Sequence, residues 1–342
     1  MIKVEGKCGI SATIICDSIS EAGVRLTTME IQYPRIILSE LNTHRMLSKN
    51  SASSRATPFA KMQEQLTGRP VRFGAAKAGM QDGGDCETLI VRETSEGDEF
   101  TLTAEDHWDC ARIDAIVAAG AYHEAGYAKQ VYNRLTEPFQ MMKTVISGTE
   151  WDNFFFLRND SAADPTICEL ARCMQEAREK SVPQLLKAGE WHLPYVDVSY
   201  VEGLQVSTIS GNSGVANEYG SPSSSYIQSL SIEDAIKVSC ARCAAVSYRN
   251  EGYGLEKSLQ LYERLVGAEK KHASALEHCA SPMQPEETRK AFINEPFEPH
   301  TWQDGVSHVD RGGQLWSGNL RGYVQHRKLI AGENYVTLAS NI

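Results

Sequence analysis

Gln32-Tyr-Pro-Arg-Ile-Ile-Leu-Ser-Glu-Leu-Asn-Thr-His-Arg-Met-Leu-Ser-Lys-Asn-Ser-Ala-Ser-Ser-Arg-Ala56 is the stretch from which the chain is best read. Its first half has a helical pattern. Pro34 suits a first helical position, where its missing N–H is unpaired anyway, and Ile36, Ile37 and Leu41 share one face. The second half is polar: His44, Arg45, Ser48, Lys49, Asn50, Ser51, Ser53, Ser54 and Arg55. No Asp or Glu lies between Glu40 and Glu64, in a chain of net charge −10. Such a segment offers guanidiniums for charge-assisted bonds and short side chains for close approach, as an anionic small ligand requires. A solvated serine-rich loop has the same composition, and residue types alone leave both readings open.

Outward from this stretch, Ala12–Cys16 and Val24–Ile31 alternate as strands and lead into the opening helix, making a strand–helix–polar-loop unit. Turn formers crowd Pro58–Gly84. Thr88–Arg92 and Glu99–Thr103 then predict a hairpin, an insertion over about 80–104. A long helical pattern runs from about Ala104 to Leu135, and Met141–Ser147 is strand-like. Glu150–Arg158 starts as an apolar helix, and Ile167–Lys180 places Ile167, Leu170, Ala171, Met174 and Ala177 on one helical face, ending before Pro183. Gly203–Ser225, rich in Ser and Gly, predicts a flexible loop or join. Ser231-Ile-Glu-Asp234 is a capping-box-like start to a helix over 232–247. Further helices are predicted over 255–271 and 320–329. The boundaries that follow are a first half, 1–202, a join, 203–228, and a second half, 229–342, completing the same domain.

At 342 residues, 42% hydrophobic and 23% charged, the composition is that of a globular protein. No apolar run approaches the roughly 18 residues of a bilayer span, and the N-terminus lacks a signal-peptide core. Nine cysteines, an odd number, suit a reducing cytoplasm better than a disulfide scaffold. The acidic balance opposes binding to a nucleic-acid polymer but not to a mononucleotide in a local cationic pocket.

The common catalytic motifs are absent. Cys240-Ala-Arg-Cys243 has no second ligand pair for zinc and predicts core thiols. Residues 209–214 lack the first glycine and the setting of a dinucleotide fingerprint, and there is neither a Walker loop nor a Gly-x-Ser-x-Gly elbow. His272, Ser274, Glu277 and His278 lack the order of a metalloprotease helix, so ordinary hydrogen bonding is the better reading, and no metal is expected. Arg134 and Arg158 end apolar segments. Each alone suits a snorkelling surface cation; together with Arg45 and Arg55 they suit a phosphate or a uracil-like carbonyl edge.

The run His44-Arg45-x-x-Ser48-x-Asn50-x-x-Ser53-x-Arg55 resembles the signature of flavin-dependent thymidylate synthases, Arg-His-Arg followed by seven residues and Ser. Met29–Leu38 resembles the strand and helix that lead into it. Arg134-Leu-Thr-Glu-Pro138 is similar to the family's Arg-x-x-Leu-Pro segment, and Trp151–Arg158 to its Leu-x-x-Phe-Leu-x-Leu-Arg helix. Ala244–Tyr248 and His272–His278 resemble a segment that normally precedes the signature but here follows it, as in a circularly permuted version of the kind some phages encode. Three positions depart from the pattern. Thr43 replaces the first Arg, Ser51 replaces a usual Glu, and Ser147-Gly148-Thr149 replaces an Asn-x-Arg. Asn319, Arg321, His326 and Arg327 offer replacement cations and amides from the C-terminal segment.

The resemblance implies an α/β (α+β) thymidylate synthase-like fold with rearranged segment order, usually a homotetramer, with FAD across subunit interfaces. The implied reaction is reductive methylation of dUMP with methylenetetrahydrofolate and NADPH. It further implies that His44, Arg45, Asn50, Asn153 and Ser274 contact FAD, and that Ser51, Ser53, Ser54, Arg55, Arg134 and Arg158 hold the nucleotide. Arg158 would also stabilise charge developing on the uracil ring. Thr43 and Ser51 keep two alternatives open: a dUMP hydroxymethylase or other flavin- and folate-dependent pyrimidine modification, and an inactive nucleotide- or flavin-binding protein.

Overall fold

The computed structural model describes residues 2–55, 57–78, 83–212, 225–247, 254–284 and 302–334. Three antiparallel strands open the chain: β1 (Lys3–Glu5), β2 (Ser11–Ser20) and β3 (Arg25–Pro34). Their alternation sends Ala12, Ile14, Met29, Ile31 and Tyr33 into one core. A bulge between Ile14 and Cys16 shifts the phase of β2, so that Cys16 pairs with Thr28.

Pro34 is the last residue of β3 and not the first of a helix. It pairs with Met141 at the end of the ladder, where a missing N–H costs least. The helix predicted from Pro34 is instead a 3-10 turn, Arg35–Ile37, followed by the short α1 (Leu38–Thr43), with Ile37 and Leu41 buried. The predicted polar loop is in part a strand, β4 (Ser48–Ser51), antiparallel to residues 141–148. Ser, Lys and Asn have little strand propensity; the neighbouring strand and side-chain bonds impose the conformation. The hydroxyls of Ser51 and Tyr33 both meet Thr144 Oγ1 at 2.8 Å.

After α2 (Phe59–Gln63), the predicted hairpin is present as β5 (Ile90–Glu93) and β6 (Glu99–Leu102). Helix α3 (Ala104–Glu124) starts at Thr103, whose side chain accepts from the Asp106 N–H. It does not run on to Leu135. Gly126 adopts a φ of +80° and ends it, and α4 (Lys129–Tyr132) and a 3-10 stretch, Asn133–Phe139, follow.

Strand β7 (Met141–Gly148) enters between β3 and β4, and β8 (Gln184–Leu186) lies parallel beside β2, completing six strands. Between them in sequence, α5 (Asp152–Arg158) and α6 (Pro165–Lys180) cover the first face. Asp164 caps α6 by accepting from the N–H groups of Thr166 and Ile167, with Pro165 at the first position. The five apolar residues predicted for its buried face are all 0% exposed.

Strands β9 (Asp197–Val201), β10 (Leu204–Asn212) and β11 (Ser225–Leu230) form a three-stranded antiparallel sheet. The predicted flexible join is therefore strand over Leu204–Asn212; residues 213–224 lie outside the described residues. Ser231 caps α7 (Ile232–Ala244) as its sequence predicts, its Oγ accepting from the Asp234 N–H at 3.1 Å. Helix α8 (Leu255–Val266) stops at Gly267, short of the predicted Lys271. Helices α7 and α8 and a 3-10 turn, Ser274–His278, enclose a second core with Val145 and Leu193. Short strands finish the described chain: β12 (Ala280–Pro282), β13 (His308–Val309), β14 (Leu315–Ser317), β15 (Leu320–Arg321) and β16 (Tyr323–Gln325). The helix predicted over 320–329 is thus β15, β16 and a 3-10 turn, His326–Leu329. Gly318 and Gly322, at φ +59° and +67°, turn the chain too sharply for a helix. The architecture is mixed α/β, and among the described residues no helix is long and apolar enough to cross a membrane.

A buried chain of polar groups joins the central sheet to the second layer. His192 bonds Ser18 Oγ through Nδ1 and Thr28 Oγ1 through Nε2, both at 2.8 Å. Thr28 Oγ1 meets Ser147 Oγ at 2.6 Å, and Ser147 Oγ meets His278 Nδ1 at 2.7 Å. Both imidazoles are 0% exposed, and burial lowers each pKa from 6.5 to about 3. Each ring is neutral in the fold and takes up a proton more readily when unfolded. Its contribution to stability is complete above pH 6.5 and is lost as the pH falls toward 3. Urea unfolding measured across this range should show stability declining below pH 6.5, and His278→Gln should make the decline shallower. An equal pH slope in the variant would show that His278 does not contribute to the decline.

Candidate functional site

Helix α1 ends at Thr43, whose Oγ1 donates to the Glu40 carbonyl at 2.7 Å, and the chain turns through His44–Leu47 into β4. Across from this corner stands Arg158, in the last turn of α5. Its Nε donates to His44 Nε2 at 2.9 Å, and its Nη2 lies 3.4 Å from Thr43 Oγ1. A guanidinium only donates, so His44 Nε2 is the unprotonated nitrogen. Burial, then the charges of Arg158 and Lys49, hold the His44 pKa below its ordinary value. The edge-on contact with Phe154, with ring centroids 4.9 Å apart, fixes the imidazole plane.

Arg45, next in sequence, opens on a cavity of about 430 Å³ between the Asn42–Lys49 segment, Glu277 and the C-terminal segment from Gly318 to Lys328. Its lining carries four cations, Arg45, Lys49, Arg327 and Lys328, against one acid, Glu277. Glu277 is bonded to Arg327, and Glu333 accepts from Arg327 Nε and Lys328 Nζ, each at 2.6 Å. Lys49 Nζ donates to the carbonyls of His44 and Leu47 at 2.6 and 2.9 Å. Burial lowers its pKa to about 8, with Glu277 opposing the shift. An arriving anion therefore meets Arg45 and Lys49 as the cations least committed to acids. Asn319 joins the walls: its Nδ2 donates to the Met46 carbonyl at 3.2 Å, and its Oδ1 accepts from Gln325 Nε2 at 2.6 Å.

Of the two cations predicted to replace the one missing at Thr43, Arg327 lines this cavity. Arg321 turns to Glu150 at 2.6 Å, with its N–H on Thr149 Oγ1. The remaining predicted residues divide. Asn50 Nδ2 lies 3.4 Å from the Cys243 carbonyl, and Ser51 bonds Thr144 as described. The Ser53 N–H donates to Ser247 Oγ at 2.8 Å, and Ser54 Oγ donates to Glu137 Oε1 at 3.1 Å. Arg55, Arg134, Asn153 and Ser274 are exposed. The structure thus brings His44, Arg45 and Arg158 to one corner and collects Ser53–Arg55 near Arg134 at another, linked by Asn133. Asn133 and Lys328 are missing from the sequence reading. Asn133 sits beside the noted Arg134 in a segment patterned as helix, where nothing marks an Asn as buried.

The thiols of Cys240 and Cys243 are fully buried, and burial pushes the former well up. Among the described residues no group of three or more His, Cys, Asp or Glu is placed to hold a metal ion. Neither a family model nor a curated protein matches the chain.

Because the Arg158 charge adds to burial in depressing the His44 pKa, Arg158→Ala should raise it, read by NMR titration of the ring. An unchanged value would assign the depression to burial and the Lys49 charge.

Proposed function

We propose that this protein is an FAD-dependent enzyme of the thymidylate synthase kind, a single domain with rearranged segment order. It reductively methylates dUMP in the cytoplasm, with methylenetetrahydrofolate as carbon donor and NADPH as reductant, as a homo-oligomer. The observation that carries the reading is the meeting of Arg158, from α5, with the Thr43–His44 corner, beside a cationic cavity completed by Arg327. These residues come from segments far apart in sequence: the resemblance draws His44 and Arg158 to one site, and Arg327 is one of the cations expected to replace the one missing at Thr43.

The donor set suits a flavin dinucleotide. Arg45 and Lys49 would pair with its diphosphate, beside an Arg327 held by Glu277 and Glu333, while Asn50, Asn153 and Ser274 would supply polar contacts. When bound, the flavin carries the redox chemistry, so no activated cysteine is needed. Ser51, Ser53, Ser54, Arg55 and Arg134 hold the nucleotide. Arg158 places a fixed positive charge toward the pyrimidine and stabilises negative charge as it develops there. Neutral His44 accepts from Arg158 and orients it without opposing its charge.

Purified protein should absorb as a flavoprotein and oxidise NADPH faster with dUMP present. Arg158→Ala should keep FAD and lose product by about a hundredfold or more. Colourless protein that takes up no FAD would overturn the proposal, and FAD uptake without turnover would favour a non-catalytic binder. Thr43 in place of the first arginine motivates a second reading, a hydroxymethyl product, which mass analysis of the nucleotide separates from a methyl one.

A further inference from the structure

Asn133 is 0% exposed in the 3-10 stretch that follows α4. Its Nδ2 donates to two carbonyls of a distant turn, Ser54 at 2.8 Å and Thr57 at 3.0 Å. Carbonyls only accept, so the amide nitrogen must face them, and Oδ1 is left buried without a partner. Leaving an acceptor unmade is costly; it is tolerated here by a side chain whose backbone is held on both sides. The Asn133 carbonyl accepts from Thr136 Oγ1 and Gln140 Nε2, both at 2.9 Å. A second tie reinforces the first: Glu137 accepts from Ser54 Oγ and pairs with Arg35 at 2.8 Å.

Arg55 directly follows Ser54, whose carbonyl is tethered, and Arg134 directly follows Asn133. Both are exposed, and among the described residues neither is paired with an acid. We propose that Asn133 is a positioning residue: its buried amide ties the carbonyls of Ser54 and Thr57 to the segment bearing Arg134 and so sets the spacing of the Arg55 and Arg134 guanidiniums for the phosphate of a nucleoside monophosphate. This inference rests on the functional reading above and adds to it a residue that touches no substrate.

Asn133→Asp keeps the shape and turns a carboxylate oxygen toward the two carbonyls. In the whole chain it should weaken dUMP binding about tenfold or more, since both buried hydrogen bonds to the carbonyls are lost. FAD content and the KM for NADPH should stay within about twofold of wild type, and kcat should change less than the KM for dUMP. Limited trypsin digestion should cleave faster after Arg55. Unchanged dUMP affinity, or dUMP and FAD binding lost in parallel, overturns the proposal. If the Asp variant does not fold, Asn133→Ser, which keeps one donor, should raise the dUMP Kd about threefold, and an unchanged value overturns the proposal equally. Wild-type protein that holds FAD and does not bind dUMP overturns the nucleotide reading instead. The tether is then judged by cleavage after Arg55, where equal rates in variant and wild type overturn it.

Discussion

Thr28 and Ser147 face one another across β3 and β7 with hydroxyls 2.6 Å apart and no exposure to water, and buried hydroxyls must find partners. His192 and His278 supply them, one on either side, from segments that pack on the sheet's second face. Apolar packing alone would tolerate several placements of the second layer on the sheet. A chain of directional bonds tolerates one. The placement matters at the surface, because Ser147 pairs with Ser48 in the ladder and His278 directly follows Glu277. The two walls of the cationic cavity are thus set in register by groups that never touch it.

Elements with strong local signals were legible in the sequence. The face of α6 has unbroken helical spacing, Asp164-Pro165 and Ser231 carry their own caps, and the hairpin is bracketed by turn residues. The misreadings have two causes: a neighbouring strand that overrides a weak local preference, and glycines whose left-handed backbone outweighs the apolar spacing around them. Ser48–Ser51 is a strand because β7 lies beside it. Gly126 stops a helix that apolar spacing alone would continue, and Gly318 and Gly322 fold the C-terminal segment back in strands. At the candidate site, unusual residue types stood out: His44, Arg45, Arg158 and the expectation that Arg327 belongs nearby. Asn133 did not, because its role depends on which carbonyls arrive from 79 and 76 residues away, a distance over which no pattern in one sequence speaks.

The electrostatics of the site reconcile an acidic protein with the anionic ligands proposed for it. The formal charge of −10 is spread over the chain, whereas the segment from Asn42 to Lys49 contributes no acid to the cavity it lines. Glu277 and Glu333 hold Arg327 and Lys328 in place, leaving Arg45 and Lys49 to meet what enters. The polarity of β4 serves a second end. An edge strand of Ser, Lys, Asn and Ser, whose Ser48 Oγ accepts from Asn319 Nδ2 and whose Asn50 Nδ2 donates to the Cys243 carbonyl, is a poor template for pairing with another chain.

The pairing of Pro34 with Met141 closes a loop that contains α1, β4, the β5–β6 hairpin and α3. The entropy lost on closing a loop rises only with the logarithm of its length, about 0.6 kcal/mol for each doubling. Lengthening or trimming the hairpin and its helix therefore leaves the union of β3 and β7 almost as favourable as before. This region is where the chain can accept insertions and deletions over evolutionary time while its central sheet stays intact.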